Sequence, residues 1–150
     1  TYGDDNVCNV DDEKVGQFNQ ITVSDSMKRN FGMVYTSGHK DKELEPYTTL
    51  EEITFLKRGF FCDGDRWLCP LELESFLYTH YWCKNKKLEK QICVDVLENS
   101  LEELALHPPK LWPVYGRKLA DLLREKFGRE TNCCPTRQSY LSLVLSRTED

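Results

Sequence analysis

The sequence predicts an α+β chain with its parts in series: a mixed strand-and-helix region over residues 1–69, then a helical region from 70 to about 130. Short strand-like runs bounded by turn residues are confined to the first part. Apolar residues at helical spacing dominate the second, as in Leu88, Ile92, Val96, Leu97, Leu101 and Leu104. Pro70 stands where the composition changes.

Taken in order, Thr1-Tyr2 and Val7 to Val10 read as two short strands, with Gly3 and Asp4 at the tip of the tight turn between them. Glycine tolerates the backbone angles such a turn demands. A chain that opens inside a hairpin is expected to be the C-terminal piece of something longer, because a lone hairpin is not a stable sheet. Asp11 to Gln20 is polar, with a short helical turn. Thr22-Val23-Ser24-Asp25 has the form of a capping box, with Asp25 in the place of the usual Glu. Val23, Met27 and Phe31 then fall on one helical face, and Gly32 is placed to end that helix. Met33 to Thr36 reads as a strand. Ser37 to Pro46 is a polar loop carrying His39, Lys40 and Lys42.

Ile53 to Phe61 is a strongly strand-like run, Asp63-Gly64-Asp65 a turn, and Arg66 to Cys69 the return strand. Leu71 to Tyr81 reads as a short helix. Lys86 to Leu106 reads as a long one, broken by Pro108 and Pro109. A further helix spans Pro113 to Phe127, with Leu119, Leu122, Leu123 and Phe127 inward and Gly128 as its stop. From Thr131 onward the pattern leaves two readings for Leu141 to Leu145, a last strand or a helical turn. Trp67, Trp82 and Trp112 are most simply hydrophobic anchors of the helical part.

Composition excludes some classes. Charged residues make up 30% of the chain, and no stretch approaches the roughly 20 apolar residues of a membrane-spanning helix. No n-region followed by an apolar h-region reads as a signal peptide in this sequence. The net charge of −5 argues against a purely electrostatic nucleic-acid binder. Its distribution is uneven. Asp4 to Glu13 is acidic, whereas Lys84, Lys86, Lys87 and Lys90 form one basic cluster. Lys110, Arg117, Lys118, Arg124, Lys126 and Arg129 form a second. Taken singly, most of these are ordinary solvated helix faces. The seven cysteines, an odd number without a secretion signal, read as reduced thiols. Cys62, Cys69, His80 and Cys83 can be drawn as a zinc site. They contain no tight C-x-x-C pair, and the simpler reading puts Cys62 and Cys69 on facing strands of the hairpin.

Three places carry candidate chemistry. Asp4 and Asp5 are adjacent carboxylates on a turn. Mg²⁺ takes oxygen ligands and is commonly held by one or two carboxylates plus substrate phosphates. Two such ions can clamp the attacking and leaving oxygens of a phosphoryl transfer. The plain alternative is a solvated Asp-rich turn. Lys40 is, from the residues alone, a loop lysine. Lys57 and Arg58, read as neighbours on one strand, point to opposite faces, so only one of them can meet a nucleic-acid backbone.

The order of segments is more specific than any one of them. A Tyr2-Gly3-Asp4-Asp5 hairpin, a helix, a strand and a lysine-bearing loop precede Phe55-Leu56-Lys57-Arg58 at the start of a β-hairpin, and a helical lobe follows. This resembles the C-terminal part of the RNA-dependent RNA polymerases of picornavirus-like positive-strand RNA viruses. Tyr2 to Asp5 is similar to the family's motif C, Val15 to Lys40 to motif D, and Phe55 to Phe60 to motif E. The wording at Phe18-Asn19-Gln20, Tyr35-Thr36, Leu50-Glu51-Glu52 and Tyr81-Trp82 is similar to dicistrovirus or iflavirus-like polymerases.

The resemblance implies the C-terminal part of a polymerase palm over 1–69, an antiparallel sheet with a helix, and an α-helical thumb over 70–150. It implies nucleotidyl transfer by a two-metal mechanism, with Asp4 and Asp5 as ligands of Mg²⁺ or Mn²⁺ in a site completed by upstream residues. Lys40 would be the general acid to the leaving pyrophosphate, with His39 and Lys42 as rivals. Lys57 and Arg58 would grip the product strand. Implied partners are the RNA template and product, nucleoside triphosphates, and the upstream palm and fingers of the same polyprotein. The implied setting is a replication complex in the host cytoplasm. The rival readings are a reverse transcriptase, which shares a Tyr-x-Asp-Asp turn, and a catalytically silent RNA-binding or interaction fragment. Gly3 and the Phe-Leu-Lys-Arg hairpin favour the RNA polymerase.

Overall fold

The computed structural model describes residues 2, 5–38, 43–81, 89–128 and 136–147. The chain divides into two compact units, Thr1–Leu56 and Lys57–Asp150.

In the first unit, helix α1 spans Gln20–Phe31. Its cap is Asn19, not Thr22. The Asn19 side-chain oxygen accepts from the N–H groups of Ile21 (3.0 Å) and Thr22 (3.1 Å), and Thr22 Oγ1 accepts from the Asn19 N–H at 3.0 Å. Asn is as good an N-cap as Ser or Asp, and the Thr22 hydroxyl takes the part usually played by Glu. Gly32, at φ 65°, ends the helix as expected, its N–H reaching Lys28 O at 3.1 Å. Gln20 N–H donates to Pro46 O at 2.9 Å, tying the loop's far end to the helix start. A 3-10 turn at Leu50–Glu52 follows, with Glu52 Oε2 accepting from both the N–H and the hydroxyl of Thr49.

Two expected strands are not formed. Residues 33–36 are irregular, and Val34 is 86% exposed. Residues 7–10 are irregular too. A strand needs a ladder partner, and none faces either segment among the described residues. No described residue of 1–56 is fully buried.

The second unit holds the hairpin and the helices. Strands β1 (Phe61–Asp63) and β2 (Arg66–Leu68) pair antiparallel, Phe61 opposite Leu68 and Asp63 opposite Arg66. Gly64, at φ 66°, takes the first position of the two-residue loop, where this turn type calls for glycine. The strand expected over 53–61 is broken. Leu56 and Lys57 both adopt left-handed angles, φ 50° and 62°, and form a tight turn. Beyond it the chain runs back along residues 70–72. Arg58 bridges Leu71, Gly59 N–H donates to Pro70 O (3.0 Å), and Glu72 N–H donates to Lys57 O (2.7 Å). Pro70 has no N–H to return, which interrupts the ladder before β1. The alternation expected of Lys57 and Arg58 on one strand is therefore replaced by a turn position followed by a bridge position.

Helix α2 (Leu73–Tyr78) runs into a 3-10 turn at Thr79–Tyr81, and α3 spans Glu89–Leu106. Helix α4 covers Arg117–Phe127 and stops at Gly128, φ 62°. Residues 141–145 prove helical, within α5 (Arg137–Ser146), which is capped by Thr136. Both α4 and α5 pack on α3. One apolar cluster joins Val94, Leu97, Leu101 and Leu123. The other joins Leu68 of the hairpin to Ala105 and Leu141, with Phe61 against it. That second cluster explains why the compact division falls at 56/57, ahead of the compositional change at Pro70.

Trp112 and Tyr140 touch both clusters, with their rings 5.6 Å apart. Trp112 stands in a π-helical turn, Trp112–Gly116, and a Cβ on Gly116 would meet its indole at 2.7 Å. Of the expected tryptophan anchors, Trp112 serves as one. Trp67 is 43% exposed and does not, and Trp82 lies outside the described residues.

Candidate active site

The turn at the start of the chain is closed by its backbone. Tyr2 N–H donates to Asp5 O at 2.8 Å, and Asp5 N–H donates to Tyr2 O at 3.0 Å. In the sequence these two bonds flank positions 3 and 4. Gly3 and Asp4 themselves lie outside the described residues. Asp5 is exposed, so its carboxylate is open to a ligand. A hard oxygen donor at such a turn fits Mg²⁺ or Mn²⁺. Among the described residues no three His, Cys, Asp or Glu side chains gather as a metal set. His39, Lys40 and Lys42 lie outside the described residues.

The zinc reading finds no support in the described residues. His80 has both ring nitrogens engaged, Nδ1 3.1 Å from Leu77 O and Nε2 2.9 Å from Ser100 Oγ. Cys62 Sγ–H points to Gly64 O. Cys62 pairs across the hairpin with Trp67 rather than Cys69, and Cys83 is outside the described residues.

The turn at residues 55–58 is the second candidate element. Lys57 is exposed at its tip, and Leu56 is exposed beside it rather than packed in a core. Left-handed angles on non-glycine residues each cost about 1–3 kcal/mol and persist where the surroundings fix them. The fixing contacts are visible. Arg58 donates to Cys69 O at 2.7 Å and forms a fork with Glu103, at 2.9 Å to Oε1 and 3.1 Å to Oε2. Leu71 N–H donates to the same Glu103 Oε1 at 2.7 Å. The Glu103 side chain is 17% exposed, that of Arg58 42%. Two-bond Arg–carboxylate pairs of this kind combine charge with fixed geometry. The guanidinium is thus committed within the protein, whereas the Lys57 ammonium has no partner among the described residues.

A second ion pair lies nearby. Arg137, at the start of α5, donates to Asp63 Oδ2 at 2.7 Å and to His107 O at 3.1 Å. His107 is buried, and its Nε2 has no partner among the described residues. Burial lowers its pKa below the usual 6.5, and Arg58 adds to this, against the opposing pull of Glu103 and a hydrogen bond to the Leu71 backbone.

On the outer face of α4, Arg117, Lys118, Arg124 and Lys126 are exposed, as is Lys110, with Arg124 paired to Asp121. Lys90 is exposed on α3. Lys84, Lys86, Lys87 and Arg129 lie outside the described residues.

Sequence reading missed Glu103, Asp63 and Arg137. One signal was available. Ser100, Glu103 and His107 recur at helical spacing beside the apolar stripe of α3, and a polar row bordering a buried face needs partners.

A family model of viral RNA-dependent RNA polymerases matches residues 1–112. The chain belongs to that family. Relatives include the replicase polyprotein of acute bee paralysis virus, 31% identical over 133 residues, which cover 85% of this chain and 7% of that polyprotein. The replicase polyprotein of Drosophila C virus is 33% identical over 109 residues, 71% of this chain and 6% of the polyprotein. The replication polyprotein of Nora virus is 32% identical over 105 residues, 70% and 5% of the two. The chain thus spans a small part of these polyproteins, and it bears out the resemblance to picornavirus-like polymerases. No helix among the described residues is long and apolar enough to cross a membrane.

Proposed function

We propose that this chain carries the C-terminal palm elements and the thumb of a viral RNA-directed RNA polymerase, and that Tyr2 to Asp5 is its metal-binding turn. The observation that carries the reading is the Tyr2–Asp5 backbone pair. It brackets positions 3 and 4 of the sequence, in a chain whose family match begins at residue 1. The reaction is attack of an RNA 3′-hydroxyl on the α-phosphate of a nucleoside triphosphate, with pyrophosphate leaving. Bound Mg²⁺ or Mn²⁺ would supply charge neutralisation at the phosphates. Asp4 and Asp5 hold that charge in place, Asp4 as the first ligand and Asp5 as the second.

Lys40 holds the proton offered to the leaving pyrophosphate. Lysine suits this role because neighbours and desolvation can lower its pKa. Lys57 meets a phosphate of the product strand, a contact that fixes position without reading sequence. Arg58 is the structural member of the pair, which its bonds to Glu103 and Cys69 support. The exposed cations of α4 continue the path for the duplex backbone. The remaining ligands and the nucleotide-selecting residues come from the upstream palm and fingers, and the whole acts in the host cytoplasm.

The test is nucleotide incorporation by this chain joined to its upstream palm and fingers. Asp4→Asn is expected to lower single-turnover incorporation by about 10²-fold or more, the scale of losing a preorganised charge contact. Near-parental incorporation by Asp4→Asn would remove the metal role.

A further inference from the structure

We propose that Glu103 is a positioning residue for Lys57, acting through Arg58. The inference rests on the reading of Lys57 as the product-strand contact. Glu103 stands on α3, the helix against which both α4 and α5 pack, so it is anchored to the best-buried element of its unit. Its two carboxylate oxygens take three hydrogen bonds, two from Arg58 and one from the Leu71 N–H. One side chain therefore holds both strips of the pairing that follows the turn: Arg58 on one side and Leu71 on the other.

Lys57 is the residue just ahead. Its carbonyl is tied to Glu72 N–H, and its φ of 62° is one a lysine rarely adopts unaided. Release of Glu103 would free the Arg58 guanidinium and orphan the Leu71 N–H together, which loosens the contacts that hold the turn left-handed. The charges point the same way. Glu103 neutralises Arg58, so the turn offers a phosphate one cation, at Lys57, in one place.

The experiment uses the complete polymerase and primer–template RNA, with affinity measured over a salt series. The variants are Lys57→Ala, Glu103→Asp, Glu103→Gln and the double variant Lys57→Ala/Glu103→Asp. Glu103→Asp keeps the charge but shortens the reach, so it adds no stray cation. Lys57→Ala and Glu103→Asp are each expected to lower the slope of log affinity against log salt by about one unit. The double variant is expected to fall no further than either single one.

If Lys57→Ala lowers the slope while both Glu103 variants keep the parental value, the positioning role is overturned and the Lys57 contact stands. If Lys57→Ala itself leaves the slope unchanged, the contact reading falls and the proposal with it. Should Glu103→Asp fail to fold, Glu103→Gln decides by sign. A lowered slope supports positioning. An unchanged slope overturns it, and a raised slope identifies Arg58 as a phosphate ligand restrained by Glu103, which overturns it as well.

Discussion

Helices α1 and α3 are both well specified at their ends or faces, yet they are held differently. Helix α1 has a full capping box at Asn19 and a glycine stop at Gly32, and it buries none of its side chains. Helix α3 buries six, from Val94 to Ala105, between α4 and α5. Caps contribute about 1 kcal/mol each. A fully buried leucine contributes about 1.5–3 kcal/mol from apolar burial alone. The first unit is thus ordered by local hydrogen bonds, the second by packing. Under the proposed function, the metal-binding turn and the proton-donating loop belong to the first unit. The product-strand contact belongs to the second, on a strained turn braced by an ion pair. Chemistry placed where no core is at stake can be substituted at little cost in stability; the ion pair that braces the turn cannot.

The largest expected effect tests the first half of that contrast. In the complete polymerase, Lys40→Leu is expected to slow single-turnover incorporation by about 10²–10⁴-fold, the usual worth of a general acid, and to leave the melting temperature unchanged. An unchanged rate would hand the proton to His39, Lys42 or solvent. Next comes packing. Leu101→Ala is expected to cost about 2–5 kcal/mol in urea unfolding, because Leu101 is fully buried. Met27→Ala in α1 is expected to cost under about 1 kcal/mol, since its side chain is only half-buried. Similar losses at both sites would erase the distinction between the units.

Arg58 and Lys57 sharpen the contrast within one turn. Arg58→Ala leaves the largely buried Glu103 without its partner and is expected to cost about 1–3 kcal/mol of stability. Lys57→Ala, at an exposed position, is expected to stay within about 0.5 kcal/mol while weakening RNA binding. The smallest effect is the pH dependence of His107. Burial holds its native pKa below the unfolded value of about 6.5, so between those two values the unfolded chain binds the proton better. Stability is then full above about pH 6.5 and declines as pH falls toward the native pKa. His107→Gln should flatten the change in melting temperature between about pH 7 and 5; a slope equal to the parent's would assign that pH dependence to other groups.

Much of the second unit is legible in sequence because its cues are local and periodic. The apolar stripe of α3, the stops at Pro108 and Gly128, and the Gly64 turn each announce themselves within a few residues. The misreadings share a cause. Ile53 to Phe61 has strand composition throughout, but whether it pairs depends on residues 70–72, and Pro70 withholds a donor there. Met33 to Thr36 has strand-like residues without a partner strand among the described residues. Asn19 outcompetes Thr22 as a cap because the helix begins earlier than its apolar face does. At the candidate site, the pairing of Tyr2 with Asp5 is readable from the turn-forming sequence between them. Glu103 is not readable in this way, because it meets Arg58 across 45 positions of chain and no local pattern records that distance.

The pairing of Arg137 with Asp63 carries a consequence for biosynthesis. The two residues lie 74 positions apart, and Leu141 on the same helix completes the cluster that Leu68 begins. Contacts of such separation form late, since the chain between them must be ordered first. On a ribosome, the hairpin that bears Asp63 and Leu68 emerges well before α5, and synthesis at roughly 5–20 residues per second leaves it waiting for several seconds. During that interval Leu68 lacks part of its cover and Asp63 lacks its cation. Helix α5 therefore acts as a timed latch on the hairpin: Leu68 and Asp63 gain their full support only once α5 has been made.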